Sequence, residues 1–172
     1  MNTPNKSHLV LFVSEHGDGE NCPCPPDRPS TGPYTRGMTV SRAAMSYATA
    51  LNRNVLFESP GLRRDIPALL HPEEEVLLVL PGVAGDFPDV MIATASRFLL
   101  ASVAGPLKKA KTKREIAAAE VTGVKYRSGV FSRMRVSPAA GRDIRMMPHR
   151  KADAERFAHE FAHLIRTGSL PS

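Results

Sequence analysis

The spacing with the most chemistry in it is His159-Glu160-Phe161-Ala162-His163. Two histidines four residues apart on a helix lie one turn apart, where their imidazoles can share a metal ion. A glutamate beside the first can then activate a metal-bound water, the arrangement used by zinc peptidases. The neighbouring residues argue against that use. Phe157, Phe161, Leu164 and Ile165 recur at helical spacing together with Ala154 and Ala158. With Phe157 set at 0°, His159 and His163 fall at about 200° and 240°, away from this apolar stripe. A catalytic zinc also takes a third protein ligand, and residues 164–172 contain no His, Glu, Asp or Cys. The expectation is a helix from about Arg150 to Arg166, stopped by Gly168, that packs its stripe and turns both histidines to solvent.

The two cysteines, Cys22 and Cys24, are one residue apart within Asn-Cys-Pro-Cys-Pro-Pro, a spacing that strains a disulfide between them. His16 is the one nearby residue that could join them on a metal, so neither metal nor cofactor is expected. There is no glycine-rich phosphate loop ahead of Lys-Ser or Lys-Thr, no GxSxG elbow, and no strand followed by GxGxxG. The chain reads as a binding protein without catalytic residues.

Charge is the stronger signal. Residues 105–151 hold thirteen Lys or Arg against three acids, whereas residues 1–104 hold eight against eleven. A local excess of this size attracts phosphates, lipid headgroups or acidic protein surfaces, and its plainer use is solubility alone. The candidate ligand-binding residues fall in two groups. Lys108, Lys109, Lys111, Lys113 and Arg114 cluster in an expected loop between strands, and Lys125, Arg127, Arg133 and Arg135 sit on strands that follow.

These groups need elements to hold them. Residues 1–37 are read as a flexible tail, because Gly17 to Gly37 is dense in Pro, Gly, Asp and Asn with little to bury. Within it, His8 to Val13 could pair as an edge strand, and its apolar part, Leu9 to Val13, is too short for a secretory signal. Met38 stands where a shorter product would begin, since the readable domain draws on nothing upstream. Residues 38–72 are expected to supply helices over Thr39 to Leu51, capped by Thr39 or Ser41, and over Leu62 to Leu70. The longest apolar run, Val76 to Leu80, is strand-sized, so no transmembrane segment is expected and the protein is placed in the cytoplasm.

From residue 73 to 167 short β-rich runs alternate with turn residues at intervals of about ten. Seven strands are expected: Glu75 to Leu80, Asp89 to Ala95, Phe98 to Val103, Arg114 to Ala119, Val121 to Arg127, Val130 to Val136 and Asp143 to Met147. Val130, Met134 and Val136 alternate with Phe131, Arg133 and Arg135, as on a half-exposed antiparallel sheet. Ala117 to Ala119 have helical propensity and are kept as strand because the meander requires it. Residues 168–172 are a short tail.

This succession resembles the bacterial PH-like domains, in particular the YokE-like type. The likeness is carried by Glu74 to Gly82 (EEVLLVLPG), Ile92 to Leu100 (IATASRFLL), Glu120 to Gly129 (EVTGVKYRSG) and Lys151 to Phe157 (KADAERF), and spans about Leu69 to Ile165. Ala95 and Ser96 depart from it, since an acidic residue commonly stands there before the Arg. The resemblance implies a mainly β fold, a bent seven-stranded antiparallel barrel capped by a C-terminal helix, used across its branches to hold lipid headgroups, peptides or partner proteins. The expected function is a non-catalytic binding module whose ligand the sequence does not name, with an anionic lipid headgroup or phosphorylated ligand as the candidate that the basic surface offers. A protein-interaction or self-assembly domain ranks next, nucleic-acid binding third and a zinc metallopeptidase last.

Overall fold

The computed structural model describes residues 40–54, 59–85, 88–103 and 109–171. The N-terminal tail with Cys22, Cys24 and His16, the segment His8 to Val13, Met38 and Lys108 lie outside the described residues.

Helix α1 (Arg42–Asn52) starts where Ser41 Oγ accepts from the Ala44 amide at 3.2 Å. Helix α2 (Pro60–Asp65) gives way to a 3₁₀ helix (Ile66–Leu69) rather than forming the single helix expected there. Pro67 is the reason, since it lacks the N–H the α ladder needs and crowds the preceding turn. Tyr47 of α1 donates its hydroxyl to the Leu62 carbonyl at 3.1 Å and locks the two helices together.

Seven antiparallel strands follow: β1 (Val76–Val83), β2 (Pro88–Thr94), β3 (Arg97–Ser102), β4 (Lys111–Ala117), β5 (Val121–Arg127), β6 (Arg133–Pro138) and β7 (Ile144–Pro148). Helix α3 (Lys151–Thr167) ends at Gly168, whose φ of 76° suits glycine. Strand β1 runs through Pro81 and Gly82, which were expected to stop it. The Pro81 carbonyl accepts from the His149 amide, so the missing Pro81 N–H faces β7, not β2, and the β1–β2 ladder loses nothing. Gly82 is where β1 meets β7, opposite Pro148; a Cβ there would collide with the Met147 carbonyl and the Met146 side chain.

The ladder order is β4-β3-β2-β1-β7-β6-β5, so β4 and β5 are the edges, and no ladder joins them among the described residues. The sheet is open where a barrel was expected. It is nevertheless strongly curled. A flat seven-stranded sheet would hold its edges about 29 Å apart at the usual strand spacing. Ala117 and Val121 end and begin those two edges and are linked only by the 3₁₀ turn Ala118–Glu120, a path that reaches at most about 15 Å. The alanines expected to continue a strand thus make the corner, in keeping with their helical propensity.

Two cores result. Inside the curl, Leu80, Met91, Phe98, Met134 and Ile144 meet Ala154, Phe157 and Phe161 of α3. Phe161 stacks on Phe98 with ring centroids 5.3 Å apart, so the expected apolar stripe is the face that plugs the opening. Outside, Val79, Val90, Ile92, Leu99 and Ala101 are covered by Tyr47, Leu51, Leu62 and Ile66. This is why β1–β3 read as unbroken apolar runs, while β5–β7 alternate: among the described residues, helices cover both faces of the first group and one face of the second.

Candidate functional site

Among the described residues no helix lies on the outward face of β5–β7, which carries a cationic array fixed by register. Val124, Tyr126, Met134, Val136, Ile144 and Met146 point to the inner core, so the residues between them point out. Lys125 pairs directly with Arg135, Arg135 with Arg145, and Arg127 with Arg133. Five cations therefore stand as a row of three and a row of two on one exposed surface.

Like charges placed directly opposite in an antiparallel pair destabilise it. Asp143 relieves part of this, with Arg135 Nε at 3.2 Å and Arg145 Nη2 at 3.5 Å. A hydrogen bond from Ser137, helped by Arg135 and Arg145, holds the Asp143 carboxyl below its ordinary value. Lys125, Arg127 and Arg133 have no acidic partner among the described residues. A cleft of about 480 Å³ opens between the rows, against Lys125, Arg127, Arg133, Arg135 and Arg145.

The other sequence-predicted group is differently placed. Lys109 is exposed, and Lys111, Lys113 and Arg114 lie on the edge strand β4. Lys113 Nζ is 2.6 Å from Oδ1 of the fully buried Asp89, whose Oδ2 accepts from the Ala84 amide. That lysine is committed to the fold. Arg114 donates to the Arg142 carbonyl at 3.0 Å across a second cleft of about 530 Å³, which Arg145 also lines. Lysines on an edge strand keep it from pairing with other chains, which accounts for β4 without any ligand. That explanation does not reach Arg133, Arg135 and Arg145, because β6 and β7 are paired on both sides.

Tyr126 packs inward and offers no outward stacking platform. One feature of this surface differs from expectation. Val130 and Phe131 are not strand residues: Arg127 pairs with Arg133, leaving Ser128 to Ser132 as the turn, with Val130 94% and Phe131 72% exposed. Arg145 is not among the sequence-predicted binding residues: alternation with Ile144 and Met146 turns it outward, but its position opposite Arg135 depends on the length of the β6–β7 turn, which alternation alone does not give.

On α3, His159 is exposed, and His163 Nδ1 sits 2.9 Å from the Ser169 carbonyl and 3.1 Å from Thr167 Oγ1. Glu160 forms an ion pair with Arg53 at the C-terminus of α1. Among the described residues no three His, Cys, Asp or Glu side chains gather as a metal site. No helix among them is long and apolar enough to cross a membrane.

No protein-family model matches this chain, and no curated protein does.

Proposed function

We propose that this chain is a non-catalytic binding module of the PH-like type that takes a phosphate-bearing anion on the outward face of β5–β7. The observation that carries this is the register: Lys125, Arg135 and Arg145 in line across three strands, with Arg127 opposite Arg133. A sheet that keeps five like charges in apposition gives up stability that an anionic ligand would restore through charge-assisted hydrogen bonds. The strand order, the corner that brings β4 towards β5, and the helix plugging the curl support the bent-barrel type of scaffold. The non-catalytic part of the reading is supported by Glu160, whose Oε1 is ion-paired with Arg53. Phosphate chemistry is preferred to base stacking because Tyr126 faces the core and leaves this surface a single exposed aromatic ring, Phe131, against five cations.

Calorimetric titration of the full chain with soluble polyphosphate tests this reading. The wild type binds, more weakly as salt rises. The double variant Lys125→Gln, Arg135→Gln loses at least about tenfold in affinity, whereas Lys109→Gln, Lys111→Gln stays within about twofold. Equal losses from the two variants would mean that net charge alone is read, and the β5–β7 assignment would fall.

A further inference from the structure

The turn between β5 and β6 adds a second chemistry to the cationic face. Ser128 to Ser132 contains no charged residue, and Val130 and Phe131 are its two large side chains, more exposed than any other large apolar side chain among the described residues. Ser132 Oγ donates to the Gly129 carbonyl at 3.3 Å across the turn, so the tip is a formed structure. Immediately behind it stand Arg127 and Arg133, and two residues further back, about 7 Å at the rise of a strand, stand Lys125 and Arg135. Met147, 46% exposed, shares the outward parity of Arg145 and lies one residue beyond Met146, which pairs with Met134, at the tip end of β7.

We infer that this hairpin docks the protein on an anionic lipid surface, with Val130 and Phe131 entering the bilayer interface and the cation rows meeting the lipid phosphates. The inference rests on the anion-binding reading above and names the source of the anion. From tip to base the hairpin presents apolar side chains, then a pair of guanidinium groups, then a wider cationic row. A bilayer presents the complementary order from its acyl region outward.

The other occupants fit less well. A second copy meeting the first tip to tip would bring Arg127 and Arg133 against their equivalents, a like-charge contact on both sides of a small apolar patch. A nucleic acid would satisfy the cations and leave Val130 exposed. Each cation brought close to a charged membrane strengthens binding by about fivefold, and the apolar tip supplies what free phosphate cannot use.

The chain contains no tryptophan, so Phe131→Trp creates a single fluorescent reporter at the tip. With vesicles of phosphatidylcholine plus phosphatidylglycerol, its emission is expected to shift to the blue and to be quenched by lipids brominated on the acyl chain. Neutral phosphatidylcholine vesicles and soluble polyphosphate are expected to leave the emission unshifted. Val130→Ser, Phe131→Ser should weaken flotation with the anionic vesicles at least about tenfold while leaving polyphosphate affinity unchanged. Vesicle binding with unshifted emission would overturn the insertion and leave the anion-binding function standing. Failure to bind either vesicles or polyphosphate would remove both. A blue shift that grows with protein concentration alone would replace the membrane with a second copy of the chain.

Discussion

Arg97 grips both carboxylate oxygens of Glu74, with Nε 2.8 Å from Oε1 and Nη2 2.7 Å from Oε2. Glu74 precedes β1 and Arg97 opens β3, so the pair staples the start of the sheet to the turn between β2 and β3. Thr94 Oγ1 lies 2.8 Å from Glu74 Oε1 and accepts from the Ser96 and Arg97 amides. The Ala95-Ser96 turn is thus braced by Glu74, whose Oε1 also accepts from Ser96 Oγ at 3.3 Å.

The hydrogen bonds from Arg97, opposed by burial, pull Glu74 from its ordinary pKa of 4.5 to about 2. A carboxyl whose folded pKa is depressed contributes stability that is fully present above its unfolded value and is lost as pH falls towards the folded one. Thermal unfolding followed by circular dichroism should therefore show Tm falling between about pH 4.5 and pH 2. Glu74→Gln should flatten that part of the profile. Arg97→Ala leaves a 6%-exposed carboxylate without its partner and is expected to cost about 3 kcal/mol at neutral pH.

The junction between the two wings of the sheet depends on Gly82. Its missing side chain lets the Met147 carbonyl and Met146 approach β1 closely, and the β1–β7 ladder is only Gly82 and Val83 long. Gly82→Ala should destabilise by about 1–3 kcal/mol in urea unfolding. Gly123→Ala, where a Cβ meets nothing within 4 Å, is the matched control and should change stability by less than about 0.5 kcal/mol.

How far the sequence could be read followed from which interactions were local. The stripe of Phe157 and Phe161, the Ser41 cap and the Gly168 stop are set by neighbours within a turn or two, and all three stand where periodicity puts them. The β5 bounds Val121–Arg127 follow from a β-rich run closed by Ser128 and Gly129. What escaped was set across the chain: the two-faced burial of β1–β3 and the commitment of Lys113 to Asp89. Val130 departs from its expected strand for the same reason. Alternation with Met134 favours a strand, and only the pairing of Arg127 with Arg133 reveals a five-residue turn.

Glu160 supplies the clearest test of the HExxH spacing. Its side chain is 12% exposed and ion-paired with Arg53, while Arg156 Nη2 donates to Asn54 Oδ1 at 3.2 Å. Together these contacts fasten α3 to the end of α1. Arg53→Ala and Glu160→Ala should each lower Tm and be non-additive in a double-mutant cycle, with a coupling of about 0.5–3 kcal/mol. Added zinc should leave the Tm of the wild type unchanged. A zinc-dependent rise in Tm that disappears in His159→Ala would restore the metal reading.

Relieving charge on the β5–β6 ladder should separate stability from binding. Arg127 and Arg133 face each other with no acidic partner among the described residues, so replacing one by a neutral β-former removes a repulsion and keeps the strand. Arg133→Thr is expected to stabilise the chain by about 0.2–1 kcal/mol in urea unfolding at low ionic strength, with the gain shrinking as salt rises. The same variant should bind polyphosphate more weakly than the wild type. A surface used only for solubility would show the first effect without the second, because no ligand would then depend on the guanidinium group. A loss of stability instead of a gain would mean that the guanidinium groups stack or share an acid, and the case for a held-open anion site would lose its energetic basis.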